Sequence, residues 1–318
     1  MPVQLMHEKW QGAISEVTIG ATKEEGGSRS YNIKIGGEQS LPCLFREGAI
    51  PNKPQVVFEI WDIPPVDWPE ELLNIYGKSV RDPFSWAEKC IKEYGAKVIC
   101  VKLQGAHPDF GNKTPEEEAL LIKKLLQKFS LPFIILGSGD DAKDSLLLPA
   151  CSEAANRERC LIGNATQDNY KSVAASALAD GHNIIAESPI DVNIAKQLNI
   201  LISDMGLPLG KIVIDPTIGA LGYGLEYAYS IMERARLAAL SGDKTLASPF
   251  ICMIGQESWR AKEAKVADLR QGIMWEVLTA VALIQAGAGL LVMRHPAAVE
   301  KVNKYIDRLF VEALSKEG

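Results

Sequence analysis

Eight short apolar segments, each followed by a helical pattern, run through the chain after residue 54 and limit its fold more than any other feature. They cover residues 55–61, 97–103, 132–136, 160–163, 183–186, 211–214, 249–254 and 289–293, and many of their side chains are β-branched. Short, continuous apolar runs are typical of strands that are buried on both faces of a parallel sheet. The pattern therefore predicts a sheet whose neighbouring strands are joined by helices.

The helical patterns lie at residues 83–94, 115–129, 142–156, 168–179, 191–205, 225–240, 271–285 and 297–310. The stretch TPEE at 114–117 combines a capping hydroxyl, a first-turn proline and early acids, while Gly181 and Gly206 follow helix ends. Eight strand–helix units in about 255 residues match an α/β fold of the (β/α)8, or TIM barrel, type. A doubly wound open sheet is the alternative, but no strand leads into a G-x-G-x-x-G turn.

The first 54 residues follow a different pattern. Residues 13–19 and 30–35 alternate or are β-branched, and they flank the turn-rich sequence KEEGGSRS. This arrangement predicts a β-hairpin. We therefore expect an N-terminal hairpin extension over 1–54 and a barrel over 55–318, with the hairpin either closing the bottom of the barrel or serving as an interaction arm.

Charge and hydropathy exclude two classes of partner. The net charge is −6 and the sequence pI is about 5.4, which argues against a nucleic-acid-binding surface. The first residues, MPVQLMHEKW, lack the features of a signal peptide, and no apolar stretch approaches the roughly 20 residues that cross a bilayer. We expect a cytoplasmic protein with neither a membrane nor a nucleic acid as partner.

The cysteine and histidine spacings argue against a metal centre in this chain. The six cysteines contain no C-x-x-C motif and lie at Cys43, Cys90, Cys100, Cys151, Cys160 and Cys252. Cys100, Cys160 and Cys252 lie within apolar strand-like runs and are expected to be buried, apolar-like side chains. We do not expect this chain alone to hold a [4Fe-4S] cluster. His107 and His295 have no second histidine at ligand spacing, which argues against zinc.

Polar residues follow each predicted strand. Functional groups of a TIM barrel lie at the carboxyl ends of its strands and in the loops after them. The residues at these positions are Asp62, Gln104, His107, Ser138, Asp140, Asp141, Asn164, Thr166, Glu187, Ser188, Asp215, Thr217, Gln256, Glu257, Arg294 and His295. We expect a polar and mostly acidic barrel mouth.

The loop IDPTIGALGYGL at 214–225 is the most distinctive of these connections. Gly219, Gly222 and Gly224 occur in it with no charged residue between them. The backbone there must either pass close to a large flat group or adopt positive φ, and a loop that simply folds over the barrel remains an alternative. The lack of Lys and Arg argues against a phosphate site.

The NAT motif at 164–166 and the DPTIG motif at 215–219 resemble strand ends of the pterin-binding methyltransferases. Those barrels hold methyltetrahydrofolate with an Asn and an Asp. They also carry an acid and a hydroxyl residue after the third strand, whereas this strand ends in LGSG and the nearest acids, Asp140 and Asp141, follow later. Because of this departure, a free-standing pterin-dependent methyltransferase is the alternative and not the leading interpretation.

A closer resemblance covers essentially the whole chain. It is carried by FEIWDIPP (58–65), KLQGAHPD (102–109), LIGNATQDNY (161–170), VIDPTIGALGYGLEYAYS (213–230) and RHPAAVE (294–300). These motifs are similar to those of the small (delta) subunit of the corrinoid iron-sulfur protein, part of the acetyl-CoA decarbonylase/synthase system of the reductive acetyl-CoA pathway. In that family the large (gamma) subunit carries the [4Fe-4S] cluster, and the corrinoid is held between its corrinoid-binding domain and the barrel mouth.

The resemblance implies a methyl-group carrier that is not catalytic alone. The corrinoid would accept a methyl group from methyltetrahydrofolate through a separate methyltransferase and pass it to acetyl-CoA synthase. A barrel that serves only as a scaffold is a third reading. For the carrier, the expected cofactor-binding residues are Asn164, Thr166, Asp215, Thr217, Gly219, Gly222, Gly224 and Gln256, with no catalytic residue and no metal ligand in this chain.

Overall fold

The chain forms a closed barrel of eight parallel strands preceded by a small hairpin. The computed structural model describes residues 7–265 and 269–314. The hairpin strands are β1 (Val17–Ile19) and β2 (Ile33–Ile35). The barrel strands are β3 (Gln55–Trp61), β4 (Ile99–Lys102), β5 (Phe133–Leu136), β6 (Leu161–Ala165), β7 (Asn183–Glu187), β8 (Ile212–Asp215), β9 (Phe250–Cys252) and β10 (Ala288–Met293).

The barrel strands pair in their sequence order, and the last closes the ring. β3 to β9 are successive neighbours, while β10 pairs with both β9 and β3. Every pairing in the barrel is parallel. The predicted TIM barrel is therefore confirmed, and the open-sheet alternative is excluded.

Helices connect the strands on the outside. They are α1 (Glu70–Tyr76), α2 (Pro83–Lys92), α3 (Pro115–Lys128), α4 (Asp141–Ala154), α5 (Tyr170–Asp180), α6 (Val192–Asp204), α7 (Leu225–Leu240), α8 (Ile254–Ser258), α9 (Leu269–Gln285) and α10 (Pro296–Leu314). All eight predicted helices are present, with ends that differ by a few residues. The capping box predicted at Thr114 and Glu117 opens α3, where the Glu117 amide donates to Thr114 Oγ1 at 3.2 Å.

Two short helices, α1 and α8, were not predicted from the sequence. α1 buries only Leu72 and Tyr76, so its apolar pattern is too short to distinguish from a loop. α8 begins at Ile254, and the prediction that the seventh barrel strand extends to residue 254 is wrong. An apolar run carries no periodicity that separates the end of a strand from the first turn of a buried helix.

Side chains alternate between the barrel interior and the layer beneath the helices. Val57 belongs to an interior cluster to which all eight barrel strands or their immediate ends contribute, whereas Phe58 packs with helix side chains such as Trp86. This alternation follows from the two-residue period of a strand. Position in a strand therefore determines which side chains can reach the interior of the barrel.

The N-terminal hairpin closes one end of the barrel. Ile19 and Ile35 belong to the interior cluster, and Asn183 Nδ2 at the start of β7 donates to the Thr18 carbonyl at 2.8 Å. The predicted antiparallel pairing is confirmed, with Val17 opposite Ile35. Since the hairpin covers the N-terminal ends of the strands, the carboxyl ends form the accessible mouth.

Candidate functional site

A cavity of about 410 Å³ lies at the carboxyl ends of the strands. Its volume is in the range of small-molecule sites. Carboxylates dominate its wall, and they belong to Asp141, Asp144, Glu187, Asp215 and Glu257. Lys102 and Arg260 contribute two cations, so the predicted polar and mostly acidic mouth is observed.

The side-chain amide of Asn164 connects two of these carboxylates. Asn164 Nδ2 donates to Glu187 Oε2 at 2.6 Å and to Asp215 Oδ2 at 3.1 Å. Asn164 lies on β6, so its amide reaches the acids at the ends of the next two strands, β7 and β8. The motifs NAT and DPTIG, separated by about fifty residues in sequence, therefore form one hydrogen-bonded group.

Asp215 is the most perturbed acid of the cavity wall. Burial raises its pKa to about 7, and the charge of Glu187 acts in the same direction. The Thr217 amide at 2.9 Å and the Asn164 amide oppose this shift by donating to the carboxylate. Asp215 therefore gains or loses its charge near neutral pH.

Two polar oxygens in the cavity wall have no partner. Asn164 Oδ1 and Thr217 Oγ1 are buried and form no hydrogen bond within the described part of the chain. Thr217 also has a φ of +55°, which is unusual for a β-branched residue. Buried polar atoms are normally paired, so these two oxygens indicate where a ligand or ordered water completes the site.

The first turn of α4 supplies the acid that the third barrel strand lacks. Asp141 Oδ1 accepts from Thr166 Oγ1 at 2.9 Å and from Asn169 Nδ2 at 3.2 Å, and Asp141 lines the cavity. Asp140 instead caps α4 through the Lys143 amide. Asp141 follows the third barrel strand late in sequence, which argued against a pterin site. The start of α4 nevertheless brings its carboxylate to the cavity wall.

Gln256 lies between a lysine and an acid on the other side of the cavity wall. Lys102 Nζ donates to Gln256 Oε1 at 3.1 Å, and Gln256 Nε2 donates to Glu257 Oε1 at 3.0 Å. Lys102 was not among the predicted mouth residues, because it lies within an apolar strand-like run. Its position two residues after Cys100 was the available signal, since that spacing places it on the interior face.

Arg294 and His295 do not line the cavity, although the sequence analysis grouped them with the mouth. Arg294 forms two hydrogen bonds to Glu59, at 2.7 and 3.0 Å, and its guanidinium lies 4.4 Å from the ring centre of Trp68. His295 stacks on Trp259, and burial lowers its pKa to about 4. Both side chains have structural partners in the interior.

Other predicted mouth residues hold the loops in place. Asp62 accepts from the Gly105 amide at 2.9 Å and from Lys113 Nζ at 2.7 Å, which fixes the loop after β4. Ser188 is buried, and its amide donates to the Asp215 carbonyl at 2.9 Å, which joins the ends of β7 and β8. Gln104, His107 and Ser138 do line the cavity.

The glycines of the loop after β8 have conformational roles within that loop. A side chain at Gly219 would place its Cβ 2.3 Å from the Tyr223 carbonyl oxygen, while Gly222 and Gly224 have φ values of +77° and +95°. None of the three glycines lines the cavity, whereas Asn164, Thr166, Asp215, Thr217 and Gln256 all do. Positive φ therefore explains Gly222 and Gly224, whereas Gly219 allows the backbone at Tyr223 to approach closely.

The cysteines are all free, and five of the six are buried. Burial raises the pKa of the Cys160 thiol to about 12, which keeps it protonated and poor as a metal ligand. Across residues 7–265 and 269–314, no group of three or more His, Cys, Asp or Glu side chains could hold a metal ion. In the same ranges, none of the helices combines the length and the hydrophobicity that a membrane span requires.

The fold defines a class, the TIM barrels, and the solved structures that it resembles include dihydropteroate synthases. The dihydropteroate synthase of Xanthomonas albilineans in complex with 7,8-dihydropteroate aligns with a TM-score of 0.57 and 13% identity, over 82% of this chain and 95% of that one. The Yersinia pestis enzyme with a pterine-sulfa conjugate gives a TM-score of 0.55 and 13% identity, over 84% and 95%. At this identity the likeness shows the fold alone.

Sequence comparison identifies the family. The family model described as CO dehydrogenase/acetyl-CoA synthase delta subunit matches residues 16–313. The acetyl-CoA decarbonylase/synthase complex subunit delta of Methanocaldococcus jannaschii is 36% identical over 309 residues, covering 93% of this chain and 74% of that protein. Its counterpart in Methanothermobacter thermautotrophicus is 34% identical over 315 residues, covering 97% and 79%. The chain belongs to the CO dehydrogenase/acetyl-CoA synthase delta subunit family.

Proposed function

We propose that this chain is the barrel subunit of a methyl-group carrier. Together with a large (gamma) subunit it would hold a corrinoid that accepts a methyl group from methyltetrahydrofolate, through a methyltransferase, and passes it to acetyl-CoA synthase. Membership of the delta subunit family supports the presence of partner subunits. The observation that carries the proposal is the polar cavity at the open end of the barrel, with two buried oxygens that have no partner in residues 7–265 and 269–314.

The residues of the mouth fit a corrinoid that covers the cavity without entering it completely. A corrinoid macrocycle carries several amide arms and is larger than the ligands that a cavity of about 410 Å³ encloses. Asn164 Oδ1 and Thr217 Oγ1 lack partners among the described residues, and both residues belong to the wall. Amide arms donate and accept hydrogen bonds, so they could complete these groups while the ring lies over the mouth.

The role of this chain would be to bind, orient and shield. When bound, the corrinoid would supply the cobalt that carries the methyl group. Asn164, Thr217 and Gln256 offer uncharged polar groups for the amide arms, and the loop 216–224, which has no charged residue, would exclude water at the rim. Transfer of a methyl group to and from the carrier moves no proton on the protein, so these residues need not act as acids or bases.

The partner would contribute the rest of the carrier. The [4Fe-4S] cluster is proposed to lie in the large subunit, since the cysteines of this chain are dispersed and mostly buried. A corrinoid held between two chains requires both walls to be fixed relative to each other. We therefore expect an interface that buries on the order of 2,000 Å² or more, as in obligate pairs.

A free-standing pterin-dependent methyltransferase is the second candidate, and a specific observation favours it. Asp141 joins Asn164 and Asp215 around one cavity, which provides three of the polar groups that a pterin ring could contact. The cavity volume also suits a ligand of that size. The carrier proposal is preferred because the uncharged glycine-rich loop at the rim suits a flat cofactor that covers the mouth.

The substitution Asn164→Ala separates the two candidates. In a carrier it should alter the visible spectrum of the bound corrinoid only modestly and leave methyl transfer dependent on a separate methyltransferase. In a pterin enzyme it should abolish methyltetrahydrofolate binding by this chain. Asn156→Ala is the matched control, because Asn156 is exposed and its side-chain amide donates to Asp180, at 3.3 Å, outside the cavity. Methyl transfer by the chain alone, lost in Asn164→Ala, would overturn the carrier proposal.

A further inference from the structure

Lys102 is a cation in the cavity wall whose hydrogen-bonding capacity is only partly used. It lies on β4, and the two-residue period of the strand places its side chain on the same interior face as that of Cys100. Its Nζ donates to Gln256 Oε1 at 3.1 Å and lies 5.4 Å from the ring centre of Trp61. An ammonium group has three donors, and since Gln256 takes one of them within the described part of the chain, two remain for a ligand.

Glu59 does not neutralise Lys102, because the Glu59 carboxylate already has a partner. Glu59 accepts two hydrogen bonds from Arg294 and one from Trp61 Nε1 at 2.6 Å. The interior group of Glu59, Arg294 and Lys102 therefore carries one net positive charge. Lys102 is half-buried in the cavity wall, and burial lowers the pKa of its ammonium group.

Hydrogen-bond acceptors occupy another part of the same wall. Glu187 and Asp215 line the cavity with their carboxylates, and the amide oxygen of Asn164 between them has no hydrogen-bond partner among the described residues. A ligand that satisfies the whole wall needs an acceptor atom for Lys102 and N–H donors for the acids. An amide has both, since its carbonyl oxygen accepts and its nitrogen donates.

We propose that Lys102 is a specificity-determining residue that binds the carbonyl oxygen of an amide-type group, while Asn164, Glu187 and Asp215 bind its N–H groups. The inference rests on the proposed function in so far as the amide arms of a corrinoid are one source of this chemistry. The lactam of a pterin ring is the other source. Both present a carbonyl oxygen next to N–H donors, and experiments on each can distinguish them.

The size of the effect follows from the charge of the donor. A hydrogen bond from a charged group corresponds to about a tenfold to hundredfold change in affinity. Lys102→Met keeps most of the length of the side chain and removes the donors. The Glu59–Arg294 pair remains complete in this variant, so the barrel is expected to fold.

Two titrations test the proposal with named probes. In the first, the full chain is titrated with pterin and with an analogue that lacks the ring carbonyl oxygen, followed by ligand fluorescence. In the second, the chain paired with its large subunit is titrated with cobinamide, followed by visible absorption. Lys196→Met is the matched control, because Lys196 is a partly exposed residue of α6 that pairs with Asp243 at 2.7 Å, away from the cavity.

The proposal predicts a loss of about tenfold or more in one titration for Lys102→Met and no change for Lys196→Met. A loss with cobinamide assigns the amide to the corrinoid. A loss with pterin, together with equal affinity for the two pterin analogues in Lys102→Met, assigns it to a lactam. Affinities within about twofold of the wild type in both titrations would overturn the proposal.

A second variant keeps the test valid if Lys102→Met fails to fold, which circular dichroism would show. Gln256→Glu gives Lys102 a carboxylate partner within the protein and should lower the ligand affinity measured in the same titration. An unchanged affinity would overturn the proposal. The two proposals also fail separately. If the wild-type pair binds no corrinoid but Lys102→Met loses pterin affinity, the carrier function is wrong and the role of Lys102 stands.

Discussion

Asn164 on β6 donates a hydrogen bond from its side-chain amide to Asp215 on β8, across 3.1 Å and past the intervening strand β7. The two residues belong to different sequence motifs, and the closed barrel brings them together. Their contact places an amide beside an acid whose pKa is raised to about 7. The charge of the mouth is therefore expected to change with pH near neutrality, through Asp215.

Replacing Asp215 should change how the stability of the protein depends on pH. Because the pKa of Asp215 in the folded chain, about 7, lies above its ordinary value of 3.8, the folded state binds more protons between these values. Stability therefore falls as pH rises through this window, by at most about 1.4 kcal/mol per pH unit from this group. Asp215→Asn should flatten that slope in urea unfolding measured from about pH 5 to pH 7.

Other acids with raised pKa values, such as Glu276 at about 7, titrate in both proteins, so the difference between the two slopes isolates Asp215. The exposed residue Asp109 provides the control substitution Asp109→Asn, which should leave the slope unchanged. Parallel curves for Asp215→Asn and the wild type would show that Asp215 is ionised throughout this range.

Breaking the buried pair of Glu59 and Arg294 should be costly. Arg294→Met leaves the Glu59 carboxylate without its cation in the barrel interior, and such losses cost about 3–5 kcal/mol. The measurement is the free energy of unfolding in urea. Lys53→Met, which breaks an ion pair with Asp307 at the surface, is the control and should change it by less than about 1 kcal/mol. A similarly small loss for Arg294→Met would mean that Glu59 takes up a proton or finds another donor.

A bulky side chain in the glycine-rich loop should interfere with the cofactor and leave the barrel folded. Gly222 has open space around a Cβ and a φ of +77°, so Gly222→Trp should cost about 1–2 kcal/mol in backbone strain. We expect it to lower corrinoid occupancy or methyl transfer in the complex with the large subunit.

Gly242→Trp is the matched control, because Gly242 also has open space and a positive φ but follows the far end of α7. It should fold with similar strain and keep full occupancy. Equal occupancy in Gly222→Trp would remove the loop after β8 from the corrinoid site.

The chain purified without a partner should contain no iron-sulfur cluster. Its cysteines are dispersed in sequence, and five of the six are buried. Iron and acid-labile sulfide should be present in less than stoichiometric amounts, with no visible absorption from a cluster. One cluster per chain, retained after gel filtration, would contradict the assignment of the cluster to the large subunit.

The barrel could be predicted from the sequence because the signals for each strand and each helix lie within short segments of the chain. Apolar runs such as residues 55–61 and helix signals such as Thr114 determine each unit separately, and eight units close in only a few ways. The helix α8 was missed because the apolar run ending at Ile254 contains a strand and the start of a helix without a break.

The candidate site was less predictable, because polar partners are chosen by the tertiary structure. Nothing in the sequence indicates that Arg294 pairs with Glu59, 235 residues away, and leaves Lys102 as an interior cation that lines the cavity. The rule that strand ends carry function placed Asn164 and Asp215 correctly in the mouth. The same rule wrongly placed Arg294 in the mouth, whereas its side chain pairs with Glu59 in the barrel interior.

The most direct test of the central claim is the visible absorption of the purified complex between this chain and its large subunit. The proposal predicts that one corrinoid per pair survives gel filtration, and that the Gly222→Trp pair retains clearly less than the Gly242→Trp pair. Full and equal retention in both variant pairs, or retention by the large subunit in the absence of this chain, would contradict a corrinoid held at the barrel mouth.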